Sequence, residues 1–373
     1  MEFDFDTPVE RAGTWSTRWD RYAGRDVIPL WVADSDFRTP PAVLEALRAR
    51  VEHGVFGYTA PPAALTEAIV ERLERRYRWR IQPSWIVFIA GVVPGLHLAA
   101  RKLVPAGGHV LVPTPVYQHL KRAAELAPRA SSDVPLVLER GRWVFDWEAL
   151  RRKADLVFLC NPQNPGGTVF RREELTRFAE LTGEAVIVSD EIHCDLVLDR
   201  DLQHVPIASL APEVSRRTVT LMSASKTFNF PAGGCAWAVI EDAALRRAFA
   251  ADINAHVLPS ASVFGYEATL AAFRHGDAWL EAQLDYLRGN RDLVERSLEL
   301  PAAHVEATYL AWIDCSGLKA DAHALFLENG VALSPGSQFG DARFVRLNFA
   351  TQRARLGEAL RRMRAAVERR APR

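Results

Sequence analysis

Cysteine, methionine and net charge are all scarce in this sequence. Its 373 residues include 4 cysteines and 3 methionines, and Lys+Arg and Asp+Glu both total 46. The cysteines form no CxxC pair, a pattern typical of buried thiols in a reducing compartment rather than of a zinc site or a disulfide framework. The charge balance provides no field that would steer the chain to nucleic acid or to an anionic membrane. We therefore expect a cytoplasmic protein with no metal site and with neither of those partners.

Long apolar runs are missing as well. The most apolar stretch, Ile86 to Ala100, is interrupted by two glycines, a proline and a histidine. The N-terminal residues Met1–Asp6 are acidic and lack the basic start of an export signal. The sequence thus predicts neither a membrane span nor an export signal. With 49% hydrophobic residues, the chain can instead bury a large core, in two domains or in one large α/β domain.

Strand-like apolar runs alternate with helical stretches, such as Arg171–Leu181, over the first two thirds of the chain. This alternation predicts a mainly parallel sheet covered by helices on both faces. After Ile240, helical segments dominate to about residue 298, and strands at Val305–Asp314 and Arg343–Phe349 and a helix at Gln352–Arg369 follow. The predicted strands of the first part are Trp85–Ile89, His109–Val112, Asp155–Cys160, Ala185–Ser189, Thr218–Met222 and Ala236–Ile240.

One predicted helix has clear start and stop signals. Thr39 is expected to cap it, the two following prolines to begin it, and Gly54 to end it. Its apolar face is expected to consist of Val43, Leu44, Leu47 and Val51.

Lys226 lies in the segment Ser223–Asn229, directly after the predicted strand Thr218–Met222. A strand end gives a lysine a fixed position, and the neighbouring hydroxyls and backbone N–H groups suit a phosphate anion. A cofactor with an aldehyde needs such an amine to form a Schiff base, which suggests pyridoxal phosphate (PLP). The alternative is an ordinary solvated lysine.

Two further strand ends carry polar side chains. Asp190 follows the predicted strand Ala185–Ser189, where a carboxylate could keep a pyridine nitrogen protonated. Asn164 lies in the turn Asn161–Gly167, where its amide could face a cofactor ring. A helix N-cap is the alternative for Asp190, and a plain turn is the alternative for Asn164.

In the order Asn164, Asp190, Lys226, these residues resemble the fold-type I PLP-dependent enzymes, the aspartate aminotransferase superfamily. Further motifs, which run from the first twenty residues to about residue 350, resemble its aminotransferase-like cystathionine β-lyase branch, whose members cleave carbon–sulfur bonds. The resemblance implies an α/β fold, with a large PLP-binding domain of residues 46–285 and a smaller α+β domain of residues 1–45 plus 286–373. The motifs are Gly13–Asp20, Trp31–Phe37, Phe56–Thr59, Gly91–Pro94, Asp190–His193 and Ser225–Asn229.

The same resemblance implies roles for residues around the cofactor. Tyr117 would stack on its ring, and His193 would lie close to the ring. The backbone N–H groups of Val92 and Val93, at the entry to a helix after Pro94, would bind the phosphate. Ser223 and Ser225 would contribute to the same anion site. A packed core tyrosine is the alternative for Tyr117.

The resemblance also implies an amino-acid substrate and a second subunit. Arg346 lies within the otherwise apolar predicted strand Phe344–Phe349. By the resemblance, it would bind the substrate α-carboxylate, and the backbone near Ala33 would help to bind the same group. Tyr58 would reach the phosphate of the neighbouring subunit, which predicts a homodimer with shared active sites. An internal salt bridge is the alternative for Arg346, and a solvated hydroxyl is the alternative for Tyr58.

The chain departs from the family pattern at two positions. Gly234 stands eight residues after the lysine, where this branch commonly has a Lys and its aminotransferase relatives an Arg to the phosphate. Without that cation, PLP should bind more weakly than in the family, and Gly234→Lys should tighten it. Ser35 stands where the family commonly has Met, which changes the expected side-chain pocket.

The function that the resemblance implies is PLP-dependent β-elimination on L-cysteine thioethers, which yields a thiol, pyruvate and ammonia. A PLP-dependent aminotransferase of an L-amino acid is the first alternative, because it uses the same lysine, aspartate and arginine. A non-catalytic PLP-binding or regulatory protein is the second alternative. The local motifs do not distinguish cystathionine, cystine and other cysteine S-conjugates as substrates.

Overall fold

The computed structural model describes residues 3–127 and 129–369. Met1 and Glu2 of the acidic N-terminus lie outside the described residues. The α-helices are α1 (Thr17–Asp20), α2 (Pro41–His53), α3 (Ala63–Tyr77), α4 (Val92–Leu103), α5 (Gln118–Leu126), α6 (Arg172–Leu181), α7 (Pro212–Ser215), α8 (Ala243–Asn254), α9 (Val263–His275), α10 (Asp277–Ser297), α11 (Ala322–Glu328) and α12 (Arg353–Glu368).

The strands form one large sheet and two small ones. They are β1 (Ile28–Pro29), β2 (Ile86–Ile89), β3 (His109–Thr114), β4 (Ala130–Glu139), β5 (Arg142–Phe145), β6 (Leu156–Cys160), β7 (Val186–Asp190), β8 (Thr218–Met222), β9 (Ala236–Val239), β10 (Leu310–Asp314), β11 (Val331–Ala332), β12 (Ser334–Pro335) and β13 (Phe344–Asn348). The large sheet has the order β2-β9-β8-β7-β6-β3-β4-β5. One small sheet has the order β10-β13-β12, and β1 pairs with β11.

The centre of the large sheet is parallel. Strands β4, β3, β6, β7 and β8 pair in parallel, whereas β9, β2 and β5 join with antiparallel neighbours at the two ends. Strands β6 and β8 are buried along their whole length, as expected for a sheet with helices on both faces. Because parallel strands end at the same edge, the turns after β6, β7 and β8 lie side by side.

The predicted strands of this sheet are confirmed to within two residues at each end. The β4–β5 hairpin was not predicted from the sequence. Strand β4 alternates only partly between buried and exposed residues and carries Ser131, Ser132 and Asp133, so its pattern is that of a polar loop. Its strand conformation comes from pairing with β3 and β5.

The predicted capping of α2 is wrong in two respects. The N-cap is Pro40, and the Thr39 hydroxyl donates instead to the carbonyl of Phe228, 2.7 Å away. Val51, expected on the buried face, is 57% exposed, whereas Val43 is fully buried. Gly54 does end the helix, in the left-handed conformation that favours glycine.

The apolar core extends over both ends of the chain. Its largest cluster joins Phe5 and Leu30 to residues of α3, α10 and the β10-β13-β12 sheet. A second cluster lies under α4 and α5, and a third lies between β5, β6 and α6. All four cysteines are buried and free, as expected from their spacing. Within the described residues, none of the helices combines the length and apolar character needed to cross a membrane.

Candidate active site

A cavity of about 320 Å³ lies at the carboxyl edge of the large sheet. It brings together residues from the turns after β6, β7 and β8, the start of α4, the N-terminal segment and β13. Tyr58 lies outside it, with a fully exposed side chain in the part of the chain between α2 and α3. The other predicted site residues all line the cavity: Ala33, Val92, Val93, Tyr117, Asn164, Asp190, His193, Ser223, Ser225, Lys226 and Arg346.

Lys226 lies in the turn after β8, with its amine inside the cavity. Its Nζ donates to the carbonyl of Ala33, 2.6 Å away. Burial lowers the pKa of Lys226 to about 8, against the opposing attraction of Asp34 and with a further contribution from the Arg346 cation. The lowered pKa means that a substantial fraction of the amine is neutral near physiological pH, so it can act as a nucleophile or a base. The interpretation of Lys226 as a solvated surface lysine is wrong.

Asp190 is the last residue of β7 and lies opposite Cys160 of β6 in the sheet. Burial raises the pKa of its carboxyl group to about 7. Its Oδ1 accepts a hydrogen bond from the Ile192 N–H at 3.2 Å, which is a local turn contact. No cation of the described residues forms a salt bridge with Asp190 within 4.0 Å. The site therefore holds a buried carboxylate whose charge would be stabilised by a positively charged ligand group.

Arg346 is buried in β13 and forms no ion pair with any carboxylate of the described residues. Its Nη1 donates to Asn164 Oδ1 and one Nη2 bond goes to the Trp31 carbonyl, both at 2.9 Å. Its Nε is buried without an acceptor, and the guanidinium lies 4.5 Å from the centre of the Phe339 ring. The interpretation of Arg346 as half of an internal salt bridge is therefore wrong. A buried guanidinium of this kind is suited to an anionic ligand.

The segment 32–35 crosses the cavity with its carbonyl groups held by side chains. Asn348 Nδ2 donates to the carbonyls of Val32 and Asp34, at 2.5 and 2.6 Å. Asn229 Nδ2 donates to the Ser35 carbonyl, and the Ser35 N–H donates back to Asn229 Oδ1, both at 3.1 Å. Among the described residues, the backbone N–H of Ala33 has no acceptor, and Ala33 lines the cavity.

The start of α4 forms the other end of the cavity. The helix begins at Val92, with Gly91 as N-cap, whereas the sequence predicted that it would begin after Pro94. The N–H groups of Val92 and Val93 belong to its first turn, where backbone donors have no acceptor within the helix. Such donors, together with the helix dipole, suit an anion.

Two serines complete this end. Ser223 Oγ lies 2.7 Å from the Cys235 carbonyl and 2.9 Å from Ser225 Oγ. Lys226 and Arg346 are the only Lys or Arg side chains among the described residues that line the cavity. Gly234, at the position where the family commonly has a cation, has a left-handed backbone with φ +61°. Among the described residues, this end of the cavity would therefore offer neutral donors to a bound anion.

Tyr117 and His193 lie on the walls between these two ends. The Tyr117 N–H donates to the Asn164 carbonyl at 2.9 Å, which ties the start of α5 to the turn after β6. Burial, together with the Lys226 and Arg346 cations, lowers the pKa of His193 to about 3, so its imidazole is neutral at pH 7. The His193 ring contacts Tyr309 edge-on at 5.8 Å.

Comparison with known proteins identifies the family. The family model described as aminotransferase class I and II matches residues 25–363. The chain belongs to this family. Cystathionine beta-lyase PatB from Bacillus subtilis (strain 168) is 36% identical, over 98% of this chain and 100% of that protein.

Two solved structures are also very similar to this chain. The crystal structure of OvoB shares 44% identity, with a TM-score of 0.94 over 98% of this chain and 99% of that one. Cystalysin from Treponema denticola, whose structure contains pyridoxal 5'-phosphate, shares 29% identity with a TM-score of 0.94 over 99% of this chain and 100% of that one. The fold of the chain is accordingly that of the fold-type I transferases in this family.

Several cavity-lining residues of this family member were not predicted from the sequence, whereas Ser35 was predicted to change the side-chain pocket. Gln118 lines the cavity beside Tyr117, and its Oε1 is buried without a partner. Ser35, at a position where the family commonly has Met, has a buried hydroxyl without a partner. Its side chain borders a second, wider cavity of about 750 Å³ that adjoins Lys226. No local pattern marks Gln118 as a site residue, since it reaches the cavity from the start of α5. Others on the cavity wall are Trp31, Cys160, Ile192, Pro231, Ser334 and Gln338.

Proposed function

We propose that this protein is a PLP-dependent carbon–sulfur β-lyase that acts on L-cysteine thioethers. The observation that carries the proposal is one cavity lined by Lys226 with a lowered pKa, by the buried Asp190 and by Arg346, which has no carboxylate partner among the described residues. The relatives named cystathionine beta-lyase support the carbon–sulfur chemistry.

The residues of the cavity fit pyridoxal phosphate. Lys226 would supply the amine that holds its aldehyde, and the Asp190 carboxylate would pair with its protonated pyridine nitrogen. The free first-turn N–H groups of Val92 and Val93, with Ser223 and Ser225, would bind the phosphate. Tyr117 would stack on the ring, with His193 near it and Asn164 at its edge. The raised pKa of buried Asp190 fits this pairing, because a cation at the ring nitrogen stabilises the carboxylate.

The chain's own residues would carry out the proton transfers. Arg346 and the Ala33 N–H bind the α-carboxylate of the substrate and so orient its Cα–H bond. Bound PLP supplies an electron sink for the charge that develops at Cα. Lys226, as a neutral amine, removes the Cα proton. The Cβ–S bond then breaks, the sulfur leaves as a thiolate, and hydrolysis of the released enamine gives pyruvate and ammonia.

We also propose a cytoplasmic homodimer. The exposed Tyr58 side chain would reach the phosphate site of the second subunit. Tyr58 lies near two other exposed apolar side chains, Val55 and Phe56, in the segment between α2 and α3. Surface of this kind is typical of a protein–protein contact.

The test is pyruvate release by purified, PLP-loaded protein from L-cystathionine and, separately, from L-cystine, without any keto acid. Pyruvate over many turnovers is the expected result, and the two rates rank the substrates. Activity that requires a keto acid acceptor would identify an aminotransferase instead. PLP binding without turnover of either kind would indicate a binding or regulatory protein.

The matched controls are two lysine variants. Lys226→Ala should abolish turnover and the cofactor's protein-bound absorbance, because no other cavity-lining lysine is present among the described residues. Lys102→Ala removes a surface lysine paired with Asp252 and should retain wild-type rates. Turnover by Lys226→Ala at the wild-type rate would contradict the assignment.

A further inference from the structure

The carbonyl oxygen of Ala33 accepts hydrogen bonds from two side chains. Lys226 Nζ lies 2.6 Å from it, and the Tyr309 hydroxyl lies 3.0 Å from it. Tyr309 comes from the segment before β10, far along the chain from both other residues. The Ala33 carbonyl therefore links the amine of Lys226 to the hydroxyl of Tyr309, which the proposed reaction does not use.

Tyr309 is held rigidly. Its side chain is 1% exposed, and Ala33 is the only acceptor of its hydroxyl among the described residues. The adjacent Thr308 N–H donates to the Leu196 carbonyl at 2.8 Å, and the Phe349 N–H donates to the Tyr309 carbonyl at 2.9 Å. Thr308 itself has φ +74°.

Positive φ is unusual for a β-branched residue, and such strain concentrates at functional sites. The strained backbone at Thr308 directly precedes Tyr309, whose hydroxyl donates to the Ala33 carbonyl. Burial raises the pKa of Tyr309 well above its ordinary value, so the hydroxyl keeps its proton and stays a donor.

The hydrogen bond from Lys226 to the Ala33 carbonyl restricts the orientation of the lysine amine. A neutral amine has two N–H bonds and one lone pair, and only the lone pair removes a proton. When one N–H of Lys226 is bound to a fixed oxygen, the lone pair can point in fewer directions. A fixed direction raises the rate of proton transfer, because less orientational freedom is lost in the transition state.

We infer that Tyr309 is a positioning residue of the lyase: its hydroxyl fixes the Ala33 carbonyl, which in turn orients the free amine of Lys226 for proton removal. The inference rests on the proposed function for the identity of the step. The position of the carbonyl itself does not depend on which reaction follows.

The first measurement is the kinetics of PLP-loaded Tyr309→Phe with L-cystathionine, with and without deuterium at Cα. We expect kcat to fall about tenfold, because misplacement of a reacting group slows its step, while KM stays within about twofold. The deuterium isotope effect on kcat should rise, since proton removal becomes more rate-limiting. A rise in KM with unchanged kcat would overturn the inference, because Tyr309 would then serve substrate binding.

The second measurement is hydrogen exchange of PLP-loaded protein, read by mass spectrometry over residues 31–37. In Tyr309→Phe this segment should exchange about fivefold faster than in wild type, as expected when one neutral hydrogen bond is lost. Unchanged exchange would overturn the inference.

The matched control is Tyr266→Phe. Tyr266 is equally buried, but its hydroxyl contacts Ser260 and the Ala261 N–H. This variant should match wild type in both kcat and exchange of residues 31–37. Equal effects of both tyrosine variants would overturn the inference, because general loosening of the core would explain them. If wild-type protein releases no pyruvate, the proposed function fails, and the exchange measurement still decides whether Tyr309 holds Ala33.

Discussion

Burial shifts the pKa values of the ionisable side chains in the cavity in the direction that favours their neutral forms. It lowers the pKa of Lys226 to about 8 and that of His193 to about 3, and it raises the pKa of Asp190 to about 7. Each shift follows from the cost of holding a charge away from water. A neutral lysine is what the proposed proton removal requires, whereas the aspartate needs a cationic ligand group to be fully ionised.

The raised pKa of Asp190 predicts a pH dependence of stability in protein prepared without PLP. The folded chain binds this proton more tightly than the unfolded chain, where the pKa is near 3.8. The stabilisation is therefore fully present below about pH 4 and is lost as the pH rises through about 7, with an upper limit of about 4 kcal/mol. Asp190→Asn should lack this loss, and so should unfold at a higher temperature than wild type at pH 8.

Thermal unfolding at pH 5 and pH 8, with and without PLP, tests this prediction. PLP should stabilise wild type more than Asp190→Asn, since only a carboxylate pairs with the ring nitrogen. A variant that is no more stable than wild type at pH 8 without PLP would contradict the argument.

The absence of a cation at Gly234 predicts a gain on replacement. A Cβ at this position would have Ala90 O and Ser262 Oγ as its nearest neighbours, both at 3.8 Å, so there is room for a side chain. Gly234→Lys should tighten PLP binding through a charged hydrogen bond, by up to about 1.5–3 kcal/mol. The left-handed backbone opposes this gain with a cost of about 1 kcal/mol in stability.

Spectral titration of PLP into the Gly234→Lys variant measures the affinity. Gly141→Lys is the matched control, because Gly141 is also left-handed and lies in the turn between β4 and β5. It should show the stability cost without tighter binding. Equal or looser PLP binding by Gly234→Lys would contradict the prediction that a cation at this position tightens binding.

At the scale of elements, a buried ion pair joins α3 to the turn that follows Asp190. Arg72 of α3 donates to Asp195 at 2.9 Å and to Asp277 at the start of α10, also at 2.9 Å. Burial acts to raise the pKa of the Asp195 carboxyl group, but the Arg72 and Arg76 cations outweigh burial and lower this pKa to about 2. The Thr227 hydroxyl also lies 3.4 Å from Asp195, so the pair reaches the lysine turn.

Removal of Arg72 should be strongly destabilising. Arg72→Ala leaves Asp195 buried with one fewer partner, and breaking a buried pair costs about 3–5 kcal/mol. Arg75→Ala is the control on the same helix, since Arg75 also pairs with Asp277 but is 57% exposed, and it should cost under about 1 kcal/mol. Chemical denaturation of both variants gives the comparison, and similar losses would refute a special role for the buried pair.

At the scale of the whole molecule, exposed apolar side chains predict the subunit contact. Phe56 is 53% exposed and contacts the Phe264 ring at the start of α9, with 5.4 Å between ring centres. Phe56→Asp should convert a dimer to monomers, because it would bury an unpaired charge in the contact. Leu138→Asp, at a similarly exposed leucine of β4, should leave the dimer intact.

Sedimentation of both variants, together with PLP titration of Tyr58→Phe, tests the dimer and its shared site. Tyr58→Phe should remain dimeric and bind PLP more loosely, by about 1 kcal/mol for one lost hydrogen bond. Wild-type protein that sediments as a monomer would contradict the homodimer.

The division into a large domain of residues 46–285 and a small domain of residues 1–45 plus 286–373 stays a prediction. The large sheet lies entirely within the first range, and the strands β10, β12 and β13 lie in the second. The largest core cluster nevertheless contains residues of both ranges, and α10 crosses the boundary at residue 285.

The sequence by itself determined the strand ends of the parallel sheet and therefore the neighbourhood of Asn164, Asp190 and Lys226. Periodicity and turn residues are local properties, and parallel strands that end at one edge must bring their following turns together. The same local rules failed for β4 and for Thr39, where pairing and a distant carbonyl replaced the expected local partner.

Only the tertiary structure decided how the N-terminal segment and β13 close the cavity. The contacts of Ala33 with Lys226 and Tyr309, and of Arg346 with Trp31, join residues 193 to 315 positions apart. Their geometry depends on packing of the whole core, and the pKa values of the buried groups depend on the burial that packing creates. Neither the geometry of these contacts nor the pKa values can be predicted from the spacing of residues along the chain.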